Sequence, residues 1–92
     1  MVHVEVHHKV KDYPAWKEVF EEQLQVRRDS GSKGARIFRD EKDPNNIAVH
    51  FEWDEIGKAR TFFESEFMLH SAERAGVIGK PEVLFEVEKT DA

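Results

Sequence analysis

Two hydrophobic periods take turns along this chain, and their order leaves few folds open. Residues 2–10 alternate. Val2, Val4, Val6 and Val10 share one face with His8, while His3, Glu5, His7 and Lys9 share the other, which is the pattern of a half-buried strand. A helical period follows, with Asp12 or Tyr13 as the cap, Pro14 in the first turn, and Trp16, Val19, Phe20, Gln23, Leu24 and Arg27 on the spacing of one face. Gly31 stops it near Ser30. Residues 35–39 then read as a short strand, DEKDPNN as a turn, and residues 47–53 as a third, alternating strand, so these two form a hairpin.

The second helical stretch starts from Asp54 as N-cap, carries Ile56, Ala59, Phe63 and Phe67 at helical intervals, and is widened by Phe62 and Leu69. A break falls near Ser65. The pattern resumes through Met68, Leu69, Ala72 and Ala75 and stops at Gly76. VIGKP reads as a loop, and residues 82–88 as the last strand, with Val83, Phe85 and Val87 on one face and Leu84 and Glu86 on the other. The order is β-α-β-β-α-β. It specifies an α+β, ferredoxin-like fold over a single domain, residues 1–92, with antiparallel strands in the order 4-1-3-2 and both helices on one face.

Composition narrows the function classes. Seven phenylalanines and two tryptophans supply the apolar area that a disordered chain lacks. The absence of cysteine removes disulfides, thiol catalysis and thiolate metal sites together. No apolar stretch approaches the roughly 20 residues of a membrane span, and the alternating N-terminus is unlike a signal peptide, so the chain reads as soluble and cytoplasmic, with no membrane partner. A net charge of −5 argues against nucleic acid, because the basic run Arg27, Arg28, Lys33, Arg36 and Arg39 is diluted by Asp29 and Asp40. RNA binding on this fold would also need aromatic residues on the exposed central strands, where the chain has His and Glu.

The face without helices is where chemistry is available. If Val2, Val4 and Val6 turn to the helices, so do Ile47, Val49, Phe51 and Trp53, which leaves His3, Glu5, His7, Lys9, His50 and Glu52 on the open side. Arg36, Phe38, Leu84 and Glu86 flank them. A solvated sheet face is polar without any function. Register decides more: one alignment sets His7 opposite His50 and Glu5 opposite Glu52, a second sets Glu5 opposite His50 and His3 opposite Glu52, and a third sets His7 opposite Glu52. In each, a histidine and a carboxylate come within reach across strands. The catalytic candidates are therefore His7, His50, Glu52 and Glu5, with glutamate orienting a histidine that takes a proton. His3, Arg36, Phe38, Leu84 and Glu86 are ligand-binding candidates. A metal-dependent alternative would draw on His7, His50 and one glutamate, a donor set for zinc, non-haem iron or nickel.

The run DYPAWKEVFEEQLQVRRDSGSKGARIFRDEKDPNNIAVHFEWDEIGKARTFFES with RAGVIGKPEVLFEVE resembles small proteins of the dimeric α+β barrel superfamily, the antibiotic-biosynthesis-monooxygenase-like or cyclase-like group. The local match is strongest at Phe51-Glu52-Trp53-Asp54. The resemblance implies a homodimer in which two sheets pack face to face, so that the open face lines an interior barrel. It further implies an aromatic or polyketide-like small molecule in that barrel, and oxygenation or cyclisation with no cofactor. Haem-degrading relatives carry an asparagine on the first strand and a histidine on the second helix; here the former region holds His7 and His8, and His70 falls on the polar side. A non-catalytic ligand-binding or interaction module is the competing reading of the same residues.

Overall fold

The computed structural model describes residues 2–88 and 90–92. Strand β1 (Val2–Val10) is followed by helices α1 (Tyr13–Glu22) and α2 (Leu24–Asp29), strands β2 (Ser32–Arg39) and β3 (Asn46–Trp53), helices α3 (Ile56–Phe63) and α4 (Glu66–Arg74), and strand β4 (Val77–Glu86). The sheet is antiparallel, in the order β2-β3-β1-β4, which is the expected 4-1-3-2 read from the other edge. Among the described residues, no helix is long and apolar enough to cross a membrane.

The core follows the predicted parity. Val2, Val4, Val6 and Val10 of β1 and Ile47, Val49, Phe51 and Trp53 of β3 are all buried, and Trp16, Ala59, Phe62 and Ala75 meet them from the helices. Rings do much of the packing. Trp16 stacks on Phe20, Phe20 tilts onto Phe51, and Phe51, Trp53, Phe62 and Phe63 form an edge-to-face cluster with centroids 5.1–6.1 Å apart. Such offset and edge contacts add to the apolar area that aromatic side chains bury.

Each long helical stretch is divided, and each division is satisfied by side chains. The first was expected as one helix but turns at Gln23, where Arg27 Nη1 donates to the Phe20 carbonyl at 2.7 Å and Gln23 Nε2 donates to Ser71 Oγ of α4 at 2.7 Å. The second breaks where expected. Ser65 Oγ donates to the Phe62 carbonyl at 2.6 Å and accepts from the Met68 amide at 3.3 Å, so one hydroxyl serves the end of α3 and the start of α4.

Four local expectations are corrected. Asp54 is not the cap of α3; Glu55 occupies that place with no side-chain bond, and Asp54 Oδ2 instead accepts from Lys58 Nζ at 3.2 Å. Strand β2 begins at Ser32, three residues early. VIGKP is strand, because β4 starts at Val77, pairs Val77 and Ile78 with Val10 and Lys9, and then absorbs extra residues before Glu82 meets His7. The irregularity has Gly79 at φ +73°, the conformation that favours glycine and had given the segment its loop signature. Val87, expected on the covered face of the last strand, lies beyond it and is exposed.

Candidate functional site

Register settles the open face. Glu5 lies opposite His50 and His3 opposite Glu52, while His7 faces Ala48. This is the second of the three alignments. Across all four strands the side chains form ranks: Gly34, Glu52, His3 and Glu86; then Arg36, His50, Glu5 and Leu84; then Phe38, Ala48, His7 and Glu82. Every residue nominated from the sequence therefore stands on this one face. The His3 and His50 rings lie 5.1 Å apart at 44°, and His7 Nε2 lies 3.4 Å from Glu5 Oε2. His7 and His50 are diagonal neighbours, a separation of about 7–8 Å between backbone positions, and the direct His7–His50 and His7–Glu52 pairings do not form.

The electrostatic character of this face is that of a surface. The His7–Glu5 contact joins two side chains that each keep over a third of their area in solvent, so it adds little to stability. His3 differs, being buried with Nδ1 unpartnered. Among the described residues, no group of three or more His, Asp and Glu side chains converges as a metal ion requires. A depression of about 260 Å³ lies beside His7, Phe38 and Ala48.

The larger volume is on the other side of the sheet. A partly open cleft of about 380 Å³ separates the covered face from the helices. Val6, His8, Val49, Phe51 and Val83 form its sheet wall, and Trp16, Val19, Phe20, Met68 and Ala72 its helical wall. The hydroxyl of Ser71 and the amide of Gln23 also line it but are engaged with each other. Its rim is polar, with Glu64 and Glu66 at the α3–α4 break and Lys80 at the β4 irregularity. An apolar interior with few polar groups is the character of a small-molecule site.

His8 is the residue that this cleft adds. Both of its ring nitrogens are buried and neither has a hydrogen-bond partner. Its ring lies against Trp16, with centroids 5.4 Å apart. Burial, with a smaller contribution from the neighbouring His7 charge, lowers its pKa from 6.5 to about 4, so the ring is neutral at pH 7. The signal was present in the sequence. His8 shares the parity of four buried valines, and one polar residue in an otherwise valine stripe marks a place where the core is not simply core.

No protein-family model matches the chain. No curated protein matches it either. Solved structures do. SnoaB, a cofactor-independent oxygenase from Streptomyces nogalater, superposes with a TM-score of 0.77 at 15% identity, covering 98% of this chain and 94% of that one. An antibiotic biosynthesis monooxygenase gives 0.69 at 18% identity, covering 98% and 100%. Rv0793 from Mycobacterium tuberculosis gives 0.72 at 9% identity, covering 99% and 97%. At these identities the likeness establishes the fold, and that fold is the one the sequence resemblance implied.

Proposed function

From the fold it shares with antibiotic-biosynthesis-monooxygenase-like structures, we propose that this chain binds a small, largely apolar ring molecule in the helix–sheet cleft and oxygenates it without a bound cofactor. The observation that carries the reading is the cleft: about 380 Å³ of mostly apolar space inside a 92-residue chain. SnoaB, a cofactor-independent oxygenase, has the same fold. The chemistry balances with dioxygen as the only co-reactant. An activated ring methylene loses a proton, the carbanion adds O₂ to give a hydroperoxide, and loss of water leaves a carbonyl, so the substrate supplies every electron.

The functional unit in this reading is a homodimer. Phe38, Leu84 and Ile78 are large apolar residues exposed on or beside the open face, and a second copy packed against it would cover them. Enclosure would also give the open face a role. Glu5 stands directly opposite His50 in register, and Arg36 directly opposite on the other flank; on enclosure the Glu5 carboxylate, which contacts His7 at 3.4 Å, would turn to orient His50, and the guanidinium would hold a developing oxyanion. This favours a second reading, with the reaction inside the dimer and His7 and Glu52 as further participants.

Oxygen uptake with a panel of anthrones and quinols tests both. Turnover abolished by Ala72→Trp, which fills the cleft, supports the first reading; turnover abolished by His50→Ala but indifferent to Ala72→Trp supports the second. If no panel member is turned over, the oxygenase assignment fails and the binding module remains.

A further inference from the structure

One polar group in the cleft makes no hydrogen bond within the fold. Gln23 and Ser71 satisfy each other, and Glu64, Glu66 and Lys80 reach solvent at the rim. His8 does neither. A neutral imidazole carries one N–H donor and one bare acceptor, and here both are buried and unpartnered. Native interiors leave few polar atoms in this state, and two on one ring call for an explanation. Water does not supply it, since neither nitrogen exposes surface to a water molecule. A leucine would fill the same position without the penalty.

Resting on the cleft reading above, we infer that His8 orients the bound molecule: its imidazole hydrogen-bonds the polar substituent, a hydroxyl or a carbonyl, of an otherwise apolar ring ligand. The ring offers a donor on one side and an acceptor on the other, so either substituent finds its complement. Because neither nitrogen exposes surface to solvent, only the ligand's group is desolvated when the bond forms. Trp16 is the aromatic neighbour whose indole a ligand would have to displace to reach the imidazole. Its ring lies 5.4 Å from that of His8 and stacks on Tyr13 and Phe20, in the first turn of a helix whose cap, Asp12, makes no side-chain bond. The backbone of that turn is held by the Trp16 amide donating to the Asp12 carbonyl at 3.0 Å, while the indole itself is held by ring packing alone among the contacts of the described residues.

The test uses two probes of one shape, 2-naphthol and 2-methylnaphthalene, measured by equilibrium dialysis against the wild type, His8→Leu, His8→Gln and Ala72→Trp. The methyl compound reports on the cleft and the hydroxyl on His8. Comparing the ratio of the two affinities between proteins cancels their different hydrophobicity. In His8→Leu the preference for the hydroxyl compound should fall by at least about tenfold, and His8→Gln, which keeps a donor and an acceptor, should retain part of it. In the wild type, 2-naphthol but not 2-methylnaphthalene should shift the His8 ring nitrogen resonances, a readout independent of either variant's folding. If both probes bind, Ala72→Trp excludes both, and the ratio is unchanged in the His8 variants, the orienting role is overturned while the cleft reading stands. If neither probe binds the wild type, or Ala72→Trp leaves binding intact, both are overturned.

Discussion

Acid should destabilise this protein through His8 as the pH falls below 6.5. In the folded chain His8 takes up a proton only near pH 4, against 6.5 for an unburied histidine. Between those values the unfolded chain binds the proton and the folded chain does not, so stability is complete above pH 6.5 and is lost as the pH falls toward 4, levelling off below it. Converting the whole shift would give about 3 kcal/mol. Part of the ring keeps some solvent contact, and the discounted loss is about 2 kcal/mol. Asp43 does not share this window: its carboxyl is held below the usual value of 3.8 by its bond with Lys9, so its contribution fades only at lower pH.

The perturbation is His8→Leu, which removes the titrating group and both unpartnered nitrogens. Urea unfolding at fixed protein concentration, followed by tryptophan fluorescence at pH 7.5 and pH 4.5, gives the comparison; fixing the concentration keeps any association constant. The wild type should lose about 2 kcal/mol more than His8→Leu across this interval. At pH 7.5 the variant should be the more stable by about 1–2 kcal/mol, because a buried polar ring without partners has been replaced by a hydrocarbon. A His8 ring-proton titration with its midpoint near 6.5, or parallel acid losses in the two proteins, would refute the reasoning.

Two further substitutions probe the framework around the cleft. Gly31→Ala should lower stability by more than about 2 kcal/mol in thermal or urea unfolding, since its φ of +114° is strained for any L side chain and the new Cβ would sit 2.5 Å from Asp54 Oδ1; an unchanged melting temperature would contradict the close approach. Arg27 is buried with no carboxylate partner among the described residues, its guanidinium 3.8 Å from the Phe20 ring centre, and burial lowers its pKa to about 10. Arg27→Met, which keeps the volume, should cost about 1 kcal/mol for the lost bond to the Phe20 carbonyl, and Arg27→Ala about 3 kcal/mol, because it also empties the space. Equal losses in the two variants would show that packing contributes nothing here.

The parity of Val2, Val4, Val6 and Val10 and the helical spacing from Trp16 to Arg27 and from Ile56 to Ala75 were enough to specify the elements and their order, because both report which face is kept from water. They also placed His3, Glu5, His7, His50 and Glu52 together on the open face. Three things needed the tertiary structure. Register did, since each of three alignments keeps the same face buried, and only packing over the whole sheet selects Glu5 opposite His50. The strand character of VIGKP did, because pairing with β1 satisfies a backbone that the local Gly and Pro signals read as loop. The cleft did as well. A void is the space that helices and sheet leave between them, and periodicity, which says which side chains turn inward, does not say whether they meet. Sequence alone put His8 among the buried valines; the structure placed it in the wall of a cleft with both nitrogens unpartnered.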